Sequence, residues 1–302
     1  MTPFTPYDIR QLRPDETAAL FVVHAAIEPV DSGQLLAWTQ EMEERLETGG
    51  CAWVVARGRR LAGYAAADPV PGLPGVFDLT GGIVPARRRQ GLGTALLRHV
   101  QQAAHACGIT HLSSRVDSLE DEVARFLLQR DFYVEHEECL LILGELADLP
   151  QLPEGPPSDL VTYPYDEAVS RFCRIYDDSF AGKPWSQPYT ESEIGEALAR
   201  PDDLLFATVE GEPVGVIWHE MTAEGVGRVE PLGVTRAYQG MGHGRRLLLA
   251  ALHNLRHRGA TEVQLGVWRD NHAAMSLYHS LGFTEVDRWY FLAYDVASSE
   301  AG

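Results

Sequence analysis

Positive charge is what this chain has least of. Its 302 residues carry 25 Lys and Arg against 43 Asp and Glu, a formal net charge of −18 that both halves share. An acidic surface repels phosphate backbones and anionic lipid, which argues against nucleic acid or a membrane surface as partner. It would favour a cationic acceptor, although net charge also serves solubility alone. Cysteine is scarce too. Cys51, Cys107, Cys139 and Cys173 form no C-x-x-C pair and have no His at metal-ligand spacing. They read as small buried hydrophobes of a reducing cytoplasm, with no metal site expected. No apolar run approaches the roughly 18 residues a membrane span needs. The start, Met1-Thr-Pro-Phe-Thr-Pro-Tyr-Asp8, has no basic stretch followed by an apolar one, so no secretory signal is expected there.

What is present is a repeat. The length suits two domains, and the apolar share of 45% is enough for real cores. Gly91 and Gly242 are 151 residues apart, as are Gly108 and Gly259, Arg88 and Gln239, Ile83 and Val234, Val116 and Val267, and Phe132 and Phe283. Upstream, Trp53-Val-Val-Ala56 matches Leu204-Leu-Phe-Ala207 at the same offset. A register held that long marks a duplicated domain rather than a solenoid. Four prolines and a glycine in Leu149-Pro-Gln-Leu-Pro-Glu-Gly-Pro-Pro-Ser158 resist helix and sheet. The expected division is therefore 1–148, a semi-rigid linker 149–158, and 159–302.

Both halves read in the same element order. In the second, a strand near Leu160–Tyr163 precedes helices over about Tyr165–Ser179 and Glu191–Ala199. Strands follow at Leu204–Val209, Pro213–Glu220 and Val229–Val234. A helix with Leu248, Leu252 and Leu255 on one face comes next. Then come a strand over Glu262–Val267, a helix from Asn271 to Leu281, and an aromatic strand, Trp289–Tyr294. Strands followed by β-α-β-α-β predict an α/β fold, a mixed sheet with helices on both faces.

The glycine loop is the chemical clue. Gln239-x-x-Gly242-x-Gly244 and Arg88-x-x-Gly91-x-Gly93 each run from a strand into a helix. The first N–H groups of a helix have no intrahelical partner, and the helix dipole adds partial positive charge there. Such a loop suits a pyrophosphate, or merely caps a helix entry. Neither copy is a P-loop or a dinucleotide G-x-G-x-x-G.

Val234-Thr-Arg-Ala-Tyr-Gln-Gly-Met-Gly-His-Gly-Arg-Arg-Leu-Leu248 resembles the coenzyme A motif of the GNAT acetyltransferases. Asn271-His-Ala-Ala-Met-Ser-Leu-Tyr-His-Ser-Leu-Gly-Phe283 resembles their second motif. The resemblance covers most of each half and is strongest over 229–285. It implies two tandem GNAT acyl-CoA N-acyltransferase domains. Each would bind acetyl-CoA between two splayed parallel strands, here Val229–Val234 and Glu262–Val267. It further implies cofactor contacts from Leu232, Val234, Gln239, Gly240, Gly242, Gly244, Arg245 and Asn271, and from Arg88, Gly91 and Gly93 in the first copy.

Acetyl transfer to an amine needs a base, a donor to the carbonyl oxygen and an acid for the leaving thiolate. Tyr278 lies two helical turns after Asn271, so both face one groove; the resemblance makes Tyr278 the acid. The other reading is a core aromatic. Glu230 interrupts an apolar strand, where a carboxylate is costly unless it faces a wet groove. The resemblance makes it the base; otherwise it is a strand-end charge or an ion-pair partner. His219, at the end of a strand, is a rival proton carrier, while His243 in the loop reads as a solvated histidine. Trp185 and Tyr189 sit where the family places acceptor-binding loops, and aromatic faces suit cations; they serve equally to pin a proline-rich loop.

In the first copy Glu230 becomes Leu79, Tyr278 becomes Leu127, Asn271 becomes Glu120 and Gly282 becomes Asp131. That half is expected to be catalytically weak or silent, with Arg87, Arg88 and Arg89 still marking its loop. Tandem GNAT chains with one active half include the mycothiol synthases, which acetylate the amine of a cysteinyl pseudodisaccharide. The expected activity is transfer of acetyl from acetyl-CoA to a small-molecule amine, by a monomer or homodimer. The alternatives are a mycothiol synthase-like enzyme and a non-catalytic acyl-CoA-binding regulator.

Overall fold

A computed structural model describes residues 7–28, 38, 40, 42, 44, 46–152, 158–184 and 186–296. Two units emerge, and they are not the two sequential halves. One comprises Met1–Glu135 with Phe291–Gly302, the other His136–Tyr290.

In the first unit, β1 (Asp8–Gln11), β2 (Cys51–Arg57), β3 (Arg60–Pro69) and β4 (Val76–Ile83) form an antiparallel run. β5 (His111–Val116) then pairs with β4 in parallel. Helix α1 (Thr17–Ile27) packs on β3, α2 (Leu92–Ala103) lies between β4 and β5, and α3 (Glu122–Leu128) follows β5. The neighbour of β5 is the end of β12 (Thr284–Asp295), the last strand of the chain. His111 Nδ1 lies 2.8 Å from an Asp295 oxygen, and the Val296 N–H donates to the Thr110 carbonyl at 2.9 Å.

The second unit repeats the plan. Its sheet runs β6-β11-β10-β9-β8-β7, where β6 is Tyr133–Leu143 and β7 Asp159–Val161. β8 is Leu204–Val209, β9 Glu212–Met221, β10 Gly227–Val234 and β11 Val263–Trp268. β6 pairs antiparallel with β11 from Leu143↔Val263 to Glu138↔Trp268. Each unit is thus closed by a strand drawn from the other half of the sequence. The segment expected to be a linker also belongs to this unit in part. Leu149 packs, partly buried, against its core, and the Pro150 carbonyl lies 3.0 Å from His253 Nε2. Residues 153–157 of the expected linker lie outside the described residues.

Helices cover both faces of this second sheet. α4 (Tyr165–Phe180) buries Val169, Phe172, Ile175, Tyr176 and Ser179, an i, i+3, i+4 stripe, on β9 and β10. Asp166 and Glu167 in its first turn complement the helix dipole. α5 (Glu191–Ala197) opens on a capping box: Thr190 Oγ1 accepts from the Glu193 N–H, and the Glu193 carboxylate accepts from the Thr190 N–H. On the opposite face α6 (His243–His257) buries Leu247, Leu248, Leu252 and Leu255 completely. Each stabilises the unit by about 1.5–3 kcal/mol. α7 (His272–His279) completes that layer. Among the described residues no helix is long and apolar enough to cross a membrane.

Candidate active site

The site begins where two parallel strands part. β10 and β11 pair only at Gly227↔Val263 and Arg228↔Gln264. Beyond that point β10 stays with β9 but shifts register between Val229 and Leu232, around Pro231, which has no N–H to give a ladder. Antiparallel bonding then alternates. The Thr235 N–H donates to the Val214 carbonyl at 2.8 Å, so the N–H of Val234, one residue before, points away from β9. It points to the side that β11 has left. Leu232, two residues back, shares that direction.

Into this opening projects Glu230. A Cβ on Gly266 of β11 would lie 3.5 Å from one Glu230 carboxylate oxygen and 3.6 Å from the other, so the carboxylate lies against that glycine at van der Waals distance. The Gly266 N–H donates to the carboxylate, and Arg228 Nη2 stands 3.7 Å from Oε2. Water still reaches 46% of the Glu230 side chain. The groove walls nevertheless strip much of its hydration and raise its pKa; Arg228 opposes that rise, and Glu138 of β6 adds to it.

Tyr278 of α7 is buried, its ring tilted against Phe283 at 5.8 Å. Burial raises the pKa of its hydroxyl, and the charge of Glu230 raises it further. The same charge acts on Tyr176 of α4 and on Tyr189. Burial is the first cause for both, and it pushes Tyr176 up to about 12. Tyr176 and the expected acceptor-side Tyr189 meet edge to face at 5.0 Å. Trp185 lies outside the described residues.

The glycine loop enters α6 as expected. Gly242 is the N-cap in the left-handed region, φ 90°, with no side-chain cap and no acidic residue in the first turn. The first N–H groups of a fifteen-residue helix are left for an anion. Gly240 also has positive φ, and Gly244 faces Val234 and Leu277, where a Cβ would make ordinary contacts at 3.7 and 3.8 Å.

Several expected contacts have other partners. Gln239 Nε2 donates to the Val234 carbonyl at 2.8 Å, and Arg88 Nε to the Ile83 carbonyl at 3.0 Å. Both side chains hold their loop back onto the preceding strand. Arg245 donates to Ser280 Oγ at 2.7 Å. Asn271 is the N-cap of α7, its oxygen accepting from the Ala274 N–H at 3.3 Å.

Two histidines depart from expectation. His219 is 1% exposed and faces α6, where Asn254 Nδ2 lies 3.3 Å from its Nε2. Burial drives its pKa down to about 4, so it is a neutral core residue rather than a groove residue. His243 is 2% exposed, packed edge-on to Tyr238 at 5.8 Å; it is not solvated, and burial lowers its pKa.

Sequence reading missed Arg228, Glu138 and Tyr176. Arg228 had a signal, since it precedes Glu230 by two in a strand and so shares its face. Tyr176 falls on the buried stripe of α4 and looked like core. Glu138 belongs to the other half of the chain and had none.

In the first unit β4 and β5 also part after three pairs, the last Asp78↔Ser113. Gly91 caps α2 at φ 77°. Leu79 and Leu127, at the positions matching Glu230 and Tyr278, are buried. Arg88 and Arg89 of the loop both pair with Glu122, Arg88 at 4.0 Å.

The family model described as "Acetyltransferase (GNAT) family" matches residues 12–132 and 169–283. Among curated proteins, the chain is 33% identical to a mycothiol acetyltransferase of Thermomonospora curvata, over 74% of this chain and 75% of that one. It is 34% identical to one of Nocardia farcinica, over 74% and 76%. With one of Kocuria rhizophila it shares 30% identity over 95% of this chain and 96% of that one. Among solved structures, a GCN5-related N-acetyltransferase of Sphaerobacter thermophilus superposes with a TM-score of 0.67 at 20% identity, covering 99% and 98%. A tandem GNAT protein of the clavulanic acid biosynthesis pathway does so with 0.62 at 22%, covering 97% and 100%. Both support the fold.

Proposed function

The chain belongs to the acetyltransferase (GNAT) family, and from that premise we propose that its His136–Tyr290 unit transfers acetyl from acetyl-CoA to the amine of a small molecule, with Glu230 as base and Tyr278 as acid. The family's co-substrate is acetyl-CoA. The residues present fit it: the first turn of α6 offers N–H groups to the pyrophosphate, and the parting of β10 and β11 leaves a slot for the thioester arm. Bound there, it supplies an activated acetyl group.

The chain's own groups account for the proton traffic. Glu230 takes a proton from the acceptor amine, directly or through water, in a groove that water reaches. The N–H of Val234 steadies the carbonyl oxygen. The Tyr278 hydroxyl, its pKa raised, stays protonated at neutral pH and can donate to the departing sulfur. The carrying observation is that Glu230 projects into the fork of the parallel strands, which leads into a helix whose glycine N-cap leaves its first N–H groups without a side-chain cap. The first unit, with leucines at both positions, is read as catalytically silent. The acidic composition supports an acceptor other than nucleic acid.

A second reading narrows the acceptor to the free-amine precursor of mycothiol. It is favoured by mycothiol acetyltransferases at 30–34% identity, one matching along 96% of its length. Calorimetric titration with acetyl-CoA, followed by turnover assays with that precursor and with simple alkylamines, tests both readings. Binding with acetyl transfer to any amine supports the general reading. Strong preference for the precursor supports the narrower one. No binding overturns both.

A further inference from the structure

Two charges of opposite sign act on Glu230, and they come from different strands. Arg228 is the last residue of β10 to pair with β11, so it stands at the fork, with Glu230 one step inside. Its Nη2 is 3.7 Å from Glu230 Oε2, and its Nη1 is 3.9 Å from Oε1 of Glu220, which lies directly opposite it on β9. On the other side, Glu138 of β6 pairs with Trp268, two residues beyond the Gly266 that contacts Glu230. Residues two apart on a strand share a face, so Glu138 and Glu230 stand on one face with β11 between them. Glu138 is held rather than loose. Its Oε2 accepts from Trp289 Nε1 at 2.9 Å, and its Oε1 is 3.6 Å from His136 Nε2. His136 is itself stacked on Trp268 at 3.6 Å.

We propose that Arg228 and Glu138 are opposed positioning residues that together set how readily Glu230 takes up and holds a proton; this rests on Glu230 being the base. The remaining neighbours are balanced around that pair. Tyr278, Tyr176 and Tyr189 face Glu230 from α7, α4 and the segment before α5, and all three phenols are held neutral by burial. Gly266 contributes an N–H, and Glu220 acts through Arg228. A base with too low an affinity for protons removes them poorly, and one with too high an affinity is already occupied at working pH. Burial alone drives Glu230 toward the second fault. Arg228 counters it, and Glu138 keeps Arg228 from carrying the group to the first.

The test follows the Glu230 carboxyl itself in the full chain. Carbon-13 carboxyl NMR across pH is read in the unmodified protein, with Glu230→Gln to assign the signal. Arg228→Met is expected to raise the midpoint by about half to one pH unit, scaled down from buried pairs because the arginine is 57% exposed. Glu138→Gln lowers it by a smaller amount, about a third of a unit at its greater distance. The double variant returns near the starting value, and Arg228→Lys largely restores it. A merely structural role would not move the midpoint in opposite directions. Shifts of one sign, or none, overturn the proposal. The acid limb of kcat/KM, measured in parallel, separates the two ideas. If the carboxyl titration moves as expected while the limb does not, the base reading fails and the charge balance stands.

Discussion

The two units have nearly the same backbone and different chemistry. Left-handed residues recur at matched places: Arg89 and Gly240, Gly91 and Gly242, Gly108 and Gly259, Asp131 and Gly282. The clasp from Arg88 to Ile83 repeats as Gln239 to Val234. Even the tie between the two helices persists with its direction reversed: Arg130 donates to Thr94 in the first unit, and Arg245 to Ser280 in the second. Glu230 and Tyr278, by contrast, become packed leucines. Loop shape therefore survives on backbone geometry, while the proposed catalysis hangs on two side chains that a fold-preserving drift can erase.

The sharpest way to break that comparison is to change matched positions. Tyr278→Phe is expected to lower kcat by about 10²–10³-fold with acetyl-CoA binding retained, and Glu230→Gln by about 10²–10⁴-fold. Leu127→Met in the first unit should leave turnover unchanged, being volume-conserving. Turnover assays beside calorimetry decide this, and a fall in activity with Leu127→Met would end the idea of a silent unit. The pH profile sharpens it further. Glu230 must be ionised to act, and its pKa is raised, so activity is lost as pH falls through a midpoint above the ordinary carboxylate range. An acid limb at or below that range would remove Glu230 as the base.

A smaller effect separates loop shape from loop use. Gly242→Ala and Gly91→Ala both place a Cβ at positive φ, costing about 1–2 kcal/mol each in thermal unfolding. Only Gly242→Ala should also weaken acetyl-CoA binding at the working site. The smallest effect is expected at Asp131, φ 66°, where Gly282 stands in the other unit. Asp131→Gly should stabilise by about half a kcal/mol, since Asp tolerates this region better than most residues. A loss of stability there would show that the aspartate has acquired a role of its own.

These contrasts also mark what the sequence could reveal. The constant offset, the glycine loops and the out-of-pattern Glu230 were legible because each is a local signal: period, turn chemistry, a charge among apolar residues. His219 and His243 were misjudged because strand and loop positions say little about which face a helix later covers. The exchange of closing strands was invisible for a different reason. Tyr133–Leu143 and Thr284–Asp295 have similar apolar character in equivalent places, so either could pair with either β5 or β11. Pairing partners at such sequence distance are decided by the assembled sheet, and no local pattern records them.

That exchange has a consequence in time. A ribosome adds about 5–20 residues per second, so residues 291–295 follow residue 135 by roughly 10–30 s. Through that interval β5 is made but lacks the neighbour that closes its unit. The unit whose synthesis begins first is therefore the last to have all its strands synthesised.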